Sequence, residues 1–148
     1  MTSIEYVNNS KTNIKNANVM INPHANGYRL PYEKEWEYVA KSGTRNEWSG
    51  SNDFNRMDEY VWYFDNSKEK TNPVKQKKPN EWGFYDMNGN VAEWCDNTFS
   101  NEAPRTNKGK ASFDRVSLGN RPLSDTPSDG GEPDFRYEYR GFRVARSI

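Results

Sequence analysis

Apolar residues recur at helical spacing near the start of the chain. Tyr32, Trp36, Val39 and Ala40 fall on one face of a helix predicted from about Tyr32 to Lys41, the recurrence expected of an amphipathic helix. Pro31 marks its start and Ser42-Gly43 its end. Glu35 occupies the last position of a capping box, but Tyr32 cannot act as the Ser or Thr cap. The start is therefore expected to be slightly weak, with Arg29 bracing it. Period-two patterning occurs at the other end. Phe142 to Arg146 alternates apolar and charged residues, as a half-buried terminal strand should. Arg143 and Arg146 are expected to pair with carboxylates.

Between these ends the pattern is weaker. Tyr60-Val61-Trp62-Tyr63-Phe64 is an apolar run of strand length, either a buried strand or an extended segment lining the core. Val19-Met20-Ile21 is a short β-like run before Pro23. Residues 43–60 and 66–79 read as loops, the second broken by Pro73 and Pro79. Residues 96–135 carry Pro104, Pro122, Pro127, Pro133 and Gly130-Gly131 without periodicity. So long a stretch in a small domain is either functional or degenerate. No internal repeat is visible.

Composition changes this picture in one respect. Only 32% of the 148 residues are hydrophobic, yet 14% are aromatic. Aliphatic side chains alone cannot build a core here, so aromatic rings must supply much of it. Trp36, Trp62, Trp82 and Trp94 are accordingly expected in the core. A disordered chain would be poor in aromatics, which makes this a folded, loop-rich single domain.

Charge excludes some functions. Lys+Arg and Asp+Glu balance at 21 each, which favours neither nucleic acid nor an anionic membrane. Lys75, Lys77 and Lys78 read as a solvated loop cluster. No run reaches membrane-spanning length, so no membrane insertion is expected. The first residues lack the basic start and apolar stretch of a signal peptide, which makes the cytoplasm the default expectation. One cysteine, Cys95, excludes an intrachain disulfide and any two-thiolate metal site within one chain. One histidine, His24, cannot form a zinc or iron cluster with it.

Residues 82–95 concentrate the remaining chemistry. Asp86 and Glu93 lie on either side of the turn Asn88-Gly89-Asn90. Two carboxylates flanking inward-pointing carbonyls can form an oxygen cage for a hard cation such as calcium. Alternatively, both carboxylates only accept hydrogen bonds from nearby backbone N–H groups and hold the turn.

Four segments, in order, resemble the formylglycine-generating enzyme (sulfatase-modifying factor) family. They are Tyr28-Arg29-Leu30-Pro31 through Trp36-Glu37-Tyr38, Trp62-Tyr63 through Asn66-Ser67 with Thr71-x-Pro73-Val74, Lys78-Pro79-Asn80 through Trp94-Cys95, and Arg140-Gly141-Phe142-Arg143-Val144-Ala145-Arg146. Together they span about residues 25–95 and 137–147, leaving 1–24 poorly matched and 96–135 divergent. The resemblance implies an α+β, C-type-lectin-like fold, low in regular secondary structure, with bound calcium. It implies an activity as well: oxygen-dependent, copper-assisted oxidation of a sulfatase cysteine to formylglycine. Relatives of the family include iron-dependent sulfoxide synthases and non-catalytic binding proteins.

Carried over by position, the resemblance makes the side chains of Asp86 and Glu93 and the carbonyls of Gly89 and Val91 calcium ligands. Asn66 and Ser67 fit the start of a second calcium site. The departures concern catalysis. Where the family has Arg-Gly-Gly-Ser and then its cysteines, this chain has Arg115-Val116-Ser117-Leu118-Gly119-Asn120-Arg121-Pro122. Cys95 aligns with a position that is not catalytic. The family domain is thus expected here in truncated form over 1–148, with no catalytic residue and no copper. The leading expectation is a catalytically degenerate, calcium-stabilised scaffold or binding module for an unidentified protein or small molecule. Two alternatives stand: part of a copper- or iron-dependent oxidoreductase completed by a longer precursor or partner, and a decayed, non-functional member.

Overall fold

The computed structural model describes residues 26–96, 106–109 and 138–146. Val19-Met20-Ile21, His24, Arg115 to Pro122 and most of 96–135 lie outside them. Helix α1 spans Glu33–Lys41. A 3-10 turn at Phe54–Arg56 leads into two single-turn helices, α2 at Met57–Tyr60 and α3 at Phe64–Ser67. Three short strands follow, β1 Ala92–Cys95, β2 Thr106–Lys108 and β3 Arg140–Phe142. They form one sheet in the order β2-β1-β3, antiparallel between β1 and β2 and parallel between β1 and β3. The described residues thus form a loop-rich mixture of α and β, as expected.

α1 forms where the pattern places it, and its start is braced by charge. Glu35 accepts from the backbone N–H of Tyr32 at 2.8 Å. Arg29 grips the same carboxylate with both ends of its guanidinium, at 2.6 and 2.7 Å. The Arg29 hydrogen bond holds the Glu35 carboxyl below the usual carboxylate range. At the other end Ser42 takes a left-handed conformation, φ 46°, and its N–H returns to Tyr38 and Val39. Asn80 finishes the cap, donating from Nδ2 to the Val39 carbonyl at 2.8 Å.

Two small cores result among the described residues. Trp36, Ala40, Met87 and Cys95 are buried together, with Val39 packed against them. Trp48, Met57 and Val61 form the second, flanked by Phe54, Tyr60 and Tyr63. Gly89 joins the two at close quarters. Its φ is 73°, and a Cβ there would lie 1.9 Å from the Trp62 carbonyl oxygen. Only glycine tolerates both constraints. Buried asparagines also bind the loops. Asn90 pairs its amide with both backbone groups of Asn72, at 2.8 and 3.0 Å, and Asn88 accepts from Ser49 N–H at 3.0 Å. Such side chains do for loops what ladders do for sheets.

Several expectations change. Of the two readings of the run 60–64, the strand fails and the extended segment lining the core holds for Val61 to Tyr63. Tyr60 ends α2, Val61 to Tyr63 run extended against Gly89, and Phe64 opens α3. Asn66 causes the break, accepting from Tyr63 N–H at 2.9 Å and donating to the Val61 carbonyl at 2.9 Å. Residues 43–60 hold the 3-10 turn and α2 rather than loop alone, and β2 lies inside 96–135. Trp82 is 43% exposed, stacked edge-on against exposed Tyr38 at 5.0 Å. Trp62 and Trp94 are half-buried beneath Lys77 and Arg140. Lys77 and Lys78 are also more than solvated charge, since Lys78 pairs with Glu59 at 2.7 Å. The terminal strand is inverted: Phe142 is 67% and Val144 55% exposed, while Arg143 turns inward.

Candidate functional site

Glu93 sits on the central strand, opposite Lys108 on β2 and Gly141 on β3. β1 alternates so that Glu93 and Cys95 are buried. A buried carboxylate needs donors and a positive partner. Arg143, just past β3, supplies the charge as a fork, Nε to Oε2 at 2.5 Å and Nη2 to Oε1 at 2.6 Å. The indole Nε1 of Trp36 donates to Oε2 at 2.6 Å. Nη2 of Arg143 also lies 3.3 Å from the carbonyl oxygens of both Tyr85 and Asp86. Lys108, in register with Glu93, turns instead to α1, where its buried ammonium is shared by Glu33 and by Glu37 at 2.8 Å.

Asp86 has a left-handed backbone, φ 54°. Its Oδ2 accepts from Lys75 N–H at 2.8 Å. Its Oδ1 is buried and has no hydrogen-bond partner among the described residues. Asp86, Glu93 and Arg143 line one open cleft of roughly 320 Å³, walled by Val74, Phe84 and Phe142.

Of the expected calcium ligands, Asp86 and Glu93 line this one cleft, but their carboxylates do not form a free oxygen cage. Both oxygens of Glu93 are engaged by Arg143 and Trp36. A dication at that carboxylate would face the guanidinium's like charge. Among the four carboxylate oxygens of Asp86 and Glu93, only Oδ1 of Asp86 is without a hydrogen-bond partner among the described residues, where calcium takes six to eight oxygens. As arranged, these residues do not fit the ion. Gly89 has a packing role, and its N–H donates to the Gly109 carbonyl at 2.7 Å. Val91 packs at β3, with Cγ2 2.9 Å from where a Cβ on Gly141 would sit. At the second expected site, the Asn66 amide is engaged in capping α3 and bonding Asp58, and Ser67 is buried with its N–H on the Tyr63 carbonyl.

Cys95 is fully buried in the first core. Burial, and then the charges of Glu93 and Glu33, push its thiol up to about 12. A thiol so held stays protonated and unreactive near neutral pH.

A family model, the Sulfatase-modifying factor enzyme 1-like domain, matches residues 4–148. The chain belongs to this family. The chaperone protein LppX of Paenibacillus barcinonensis is 45% identical over 107 residues, covering 59% of this chain and 37% of the relative. The inactive C-alpha-formylglycine-generating enzyme 2 of Mus musculus is 30% identical over 134 residues, covering 82% and 44%. Among solved structures, Treponema denticola variable protein 1 superposes with a TM-score of 0.66 at 35% identity, covering 82% and 48%. The chain therefore spans less than half the length of each of these three. Among the described residues no helix is long and apolar enough to cross a membrane.

The sequence alone missed several residues that organise this region. Arg143 pairs with a carboxylate as expected, but nothing local names Glu93, fifty positions away, as its partner, or shows that Lys108 sits between two glutamates of α1. Asn80 carried a signal, because a lone asparagine in a Pro-Asn turn is a standard loop fastener.

Proposed function

We propose that this chain is a non-catalytic binding module, a member of its family that presents loops from a rigid scaffold without oxidising cysteine. One observation carries the reading. The single thiol of the chain, Cys95, is sealed in the core and held protonated. Cysteine oxidation of the kind the resemblance implies draws on a pair of reactive thiols, because copper(I) prefers sulfur. The names of two relatives, an inactive enzyme and a chaperone, support a binding role. The exposed Tyr38–Trp82 pair is a surface suited to a protein partner, since aromatic rings are enriched at interfaces. The C-type-lectin-like description of the scaffold rests on the resemblance.

The test is direct. The chain is incubated with copper, oxygen and a Cys-x-Pro-x-Arg peptide, and aldehyde is trapped and counted by mass spectrometry. The expected yield equals that of peptide and copper alone. Chain-dependent aldehyde would overturn the proposal. The partial coverage of the relatives favours a second reading, in which a longer protein or partner completes an oxidase. That reading predicts turnover in the longer protein which the 148-residue chain lacks.

A further inference from the structure

We infer that the guanidinium of Arg143 is the built-in cation of Glu93, taking the carboxylate that the resemblance assigns to calcium. The inference goes beyond the binding role and is independent of it. Glu93 is buried on the central strand and its charge must be met within the protein. Arg143 meets it in the geometry for which a planar fork is suited, two parallel N–H···O bonds at 2.5 and 2.6 Å. The same guanidinium gathers the carbonyl oxygens of Tyr85 and Asp86, each at 3.3 Å. One carboxylate and two carbonyls therefore converge on one positive group, the kind of oxygen set a hard cation collects. Trp36 Nε1 occupies a further lone pair of Glu93.

The face of the terminal strand gives independent support. Burying Phe142 and Val144 would follow the apolar pattern, yet both point out, at 67% and 55% exposure. Inverting the segment by one residue would bury them and carry Arg143 to solvent. The ion pair, not the apolar pattern, fixes this face.

The experiment follows the melting temperature of the full chain in chelator and in saturating calcium, by tryptophan fluorescence. The parent chain is expected to melt at the same temperature in both. Arg143→Met is expected to melt lower by on the order of 5–10 °C in chelator, and to regain part of that loss with calcium once Glu93 is open. Should Arg143→Met fail to fold, Arg143→Lys keeps the charge without the fork, and is expected to melt between the two and ignore calcium. A dose-dependent rise of the parent with calcium, lost in Glu93→Gln, overturns the inference. So does an Arg143→Met variant that melts with the parent, or one that calcium leaves unmoved.

Discussion

Removing the side chain of Asn80 should destabilise the whole fold, although it lies in a loop. Asn80 is 6% exposed. Its Nδ2 donates to the Val39 carbonyl at 2.8 Å, and its Oδ1 accepts from Trp82 N–H at 3.1 Å and Phe84 N–H at 3.0 Å. Asn80→Ala removes all three bonds, leaving the Trp82 and Phe84 N–H groups without this partner and the Val39 carbonyl with only the Ser42 N–H. At about 1 kcal/mol net for each bond, the loss is about 3 kcal/mol. The Val39 carbonyl belongs to the last turn of α1, which carries Trp36 and Ala40 into the first core. The cost should therefore appear as global destabilisation rather than local fraying. For a domain of this size it corresponds to about 6–12 °C in Tm. Urea denaturation followed by tryptophan fluorescence reads it as a lower midpoint with an unchanged slope. Asn80→Asp keeps the acceptor, loses the donor and sets a negative charge at the carbonyl end of α1, so it should not rescue. A loss below about 1 kcal/mol for Asn80→Ala would refute the reasoning, because water would then serve those groups as well as the amide does.

Three further outcomes follow from the same geometry. Gly89→Ala should cost at least about 3 kcal/mol in denaturant titration, since left-handed backbone alone accounts for about 1–2 kcal/mol and its Cβ would overlap the Trp62 carbonyl at 1.9 Å; a near-neutral variant would contradict the close approach. Arg29→Met should cost only about 0.5–1 kcal/mol, because the Arg29–Glu35 side chains are 31% and 43% exposed. Its acid limb should also differ. Glu35 is held below its usual range, so its stabilisation is present above the ordinary carboxylate range and fades as pH falls, and the parent and Arg29→Met curves should converge in acid. In alkali the sign reverses for Cys95. Its thiol is raised to about 12, so its contribution is complete below about pH 9 and is lost as pH rises from there; the parent should lose about 1 kcal/mol per pH unit more than Cys95→Ala. Parallel curves would show that the thiol is not held.

The parts of the fold visible in the sequence are those governed by short-range rules. α1 was legible because Trp36 and Ala40 keep helical spacing between Pro31 and Ser42-Gly43, and Arg29 does brace its start. Of the two readings of the run 60–64, the extended segment lining the core holds for Val61 to Tyr63, and the strand fails because Asn66 offers the backbone a better partner. The second core was visible only through Val61 in the run 60–64, because Trp48 and Met57 are scattered through polar sequence. The terminal strand was recognised, but its facing was not, because a long-range ion pair outweighs the exposure of two apolar side chains. The candidate site divides the same way. Asp86 and Glu93 line one cleft, although their spacing about the turn suggested an oxygen cage. The partner of Glu93 comes from β3, and the burial of Lys108 between Glu33 and Glu37 comes from β2 packing on α1. No local pattern reports contacts of that kind.

This scaffold keeps the family's architecture while its one thiol is out of use. Titrating Cys95 with an aromatic disulfide reagent at about pH 8 tests it most directly, since an ordinary free cysteine reacts readily there. The native chain should give no reaction on the timescale that denaturant-unfolded chain needs to yield its full single equivalent. A native chain that reacts stoichiometrically, at the rate of an exposed thiol, would contradict the account.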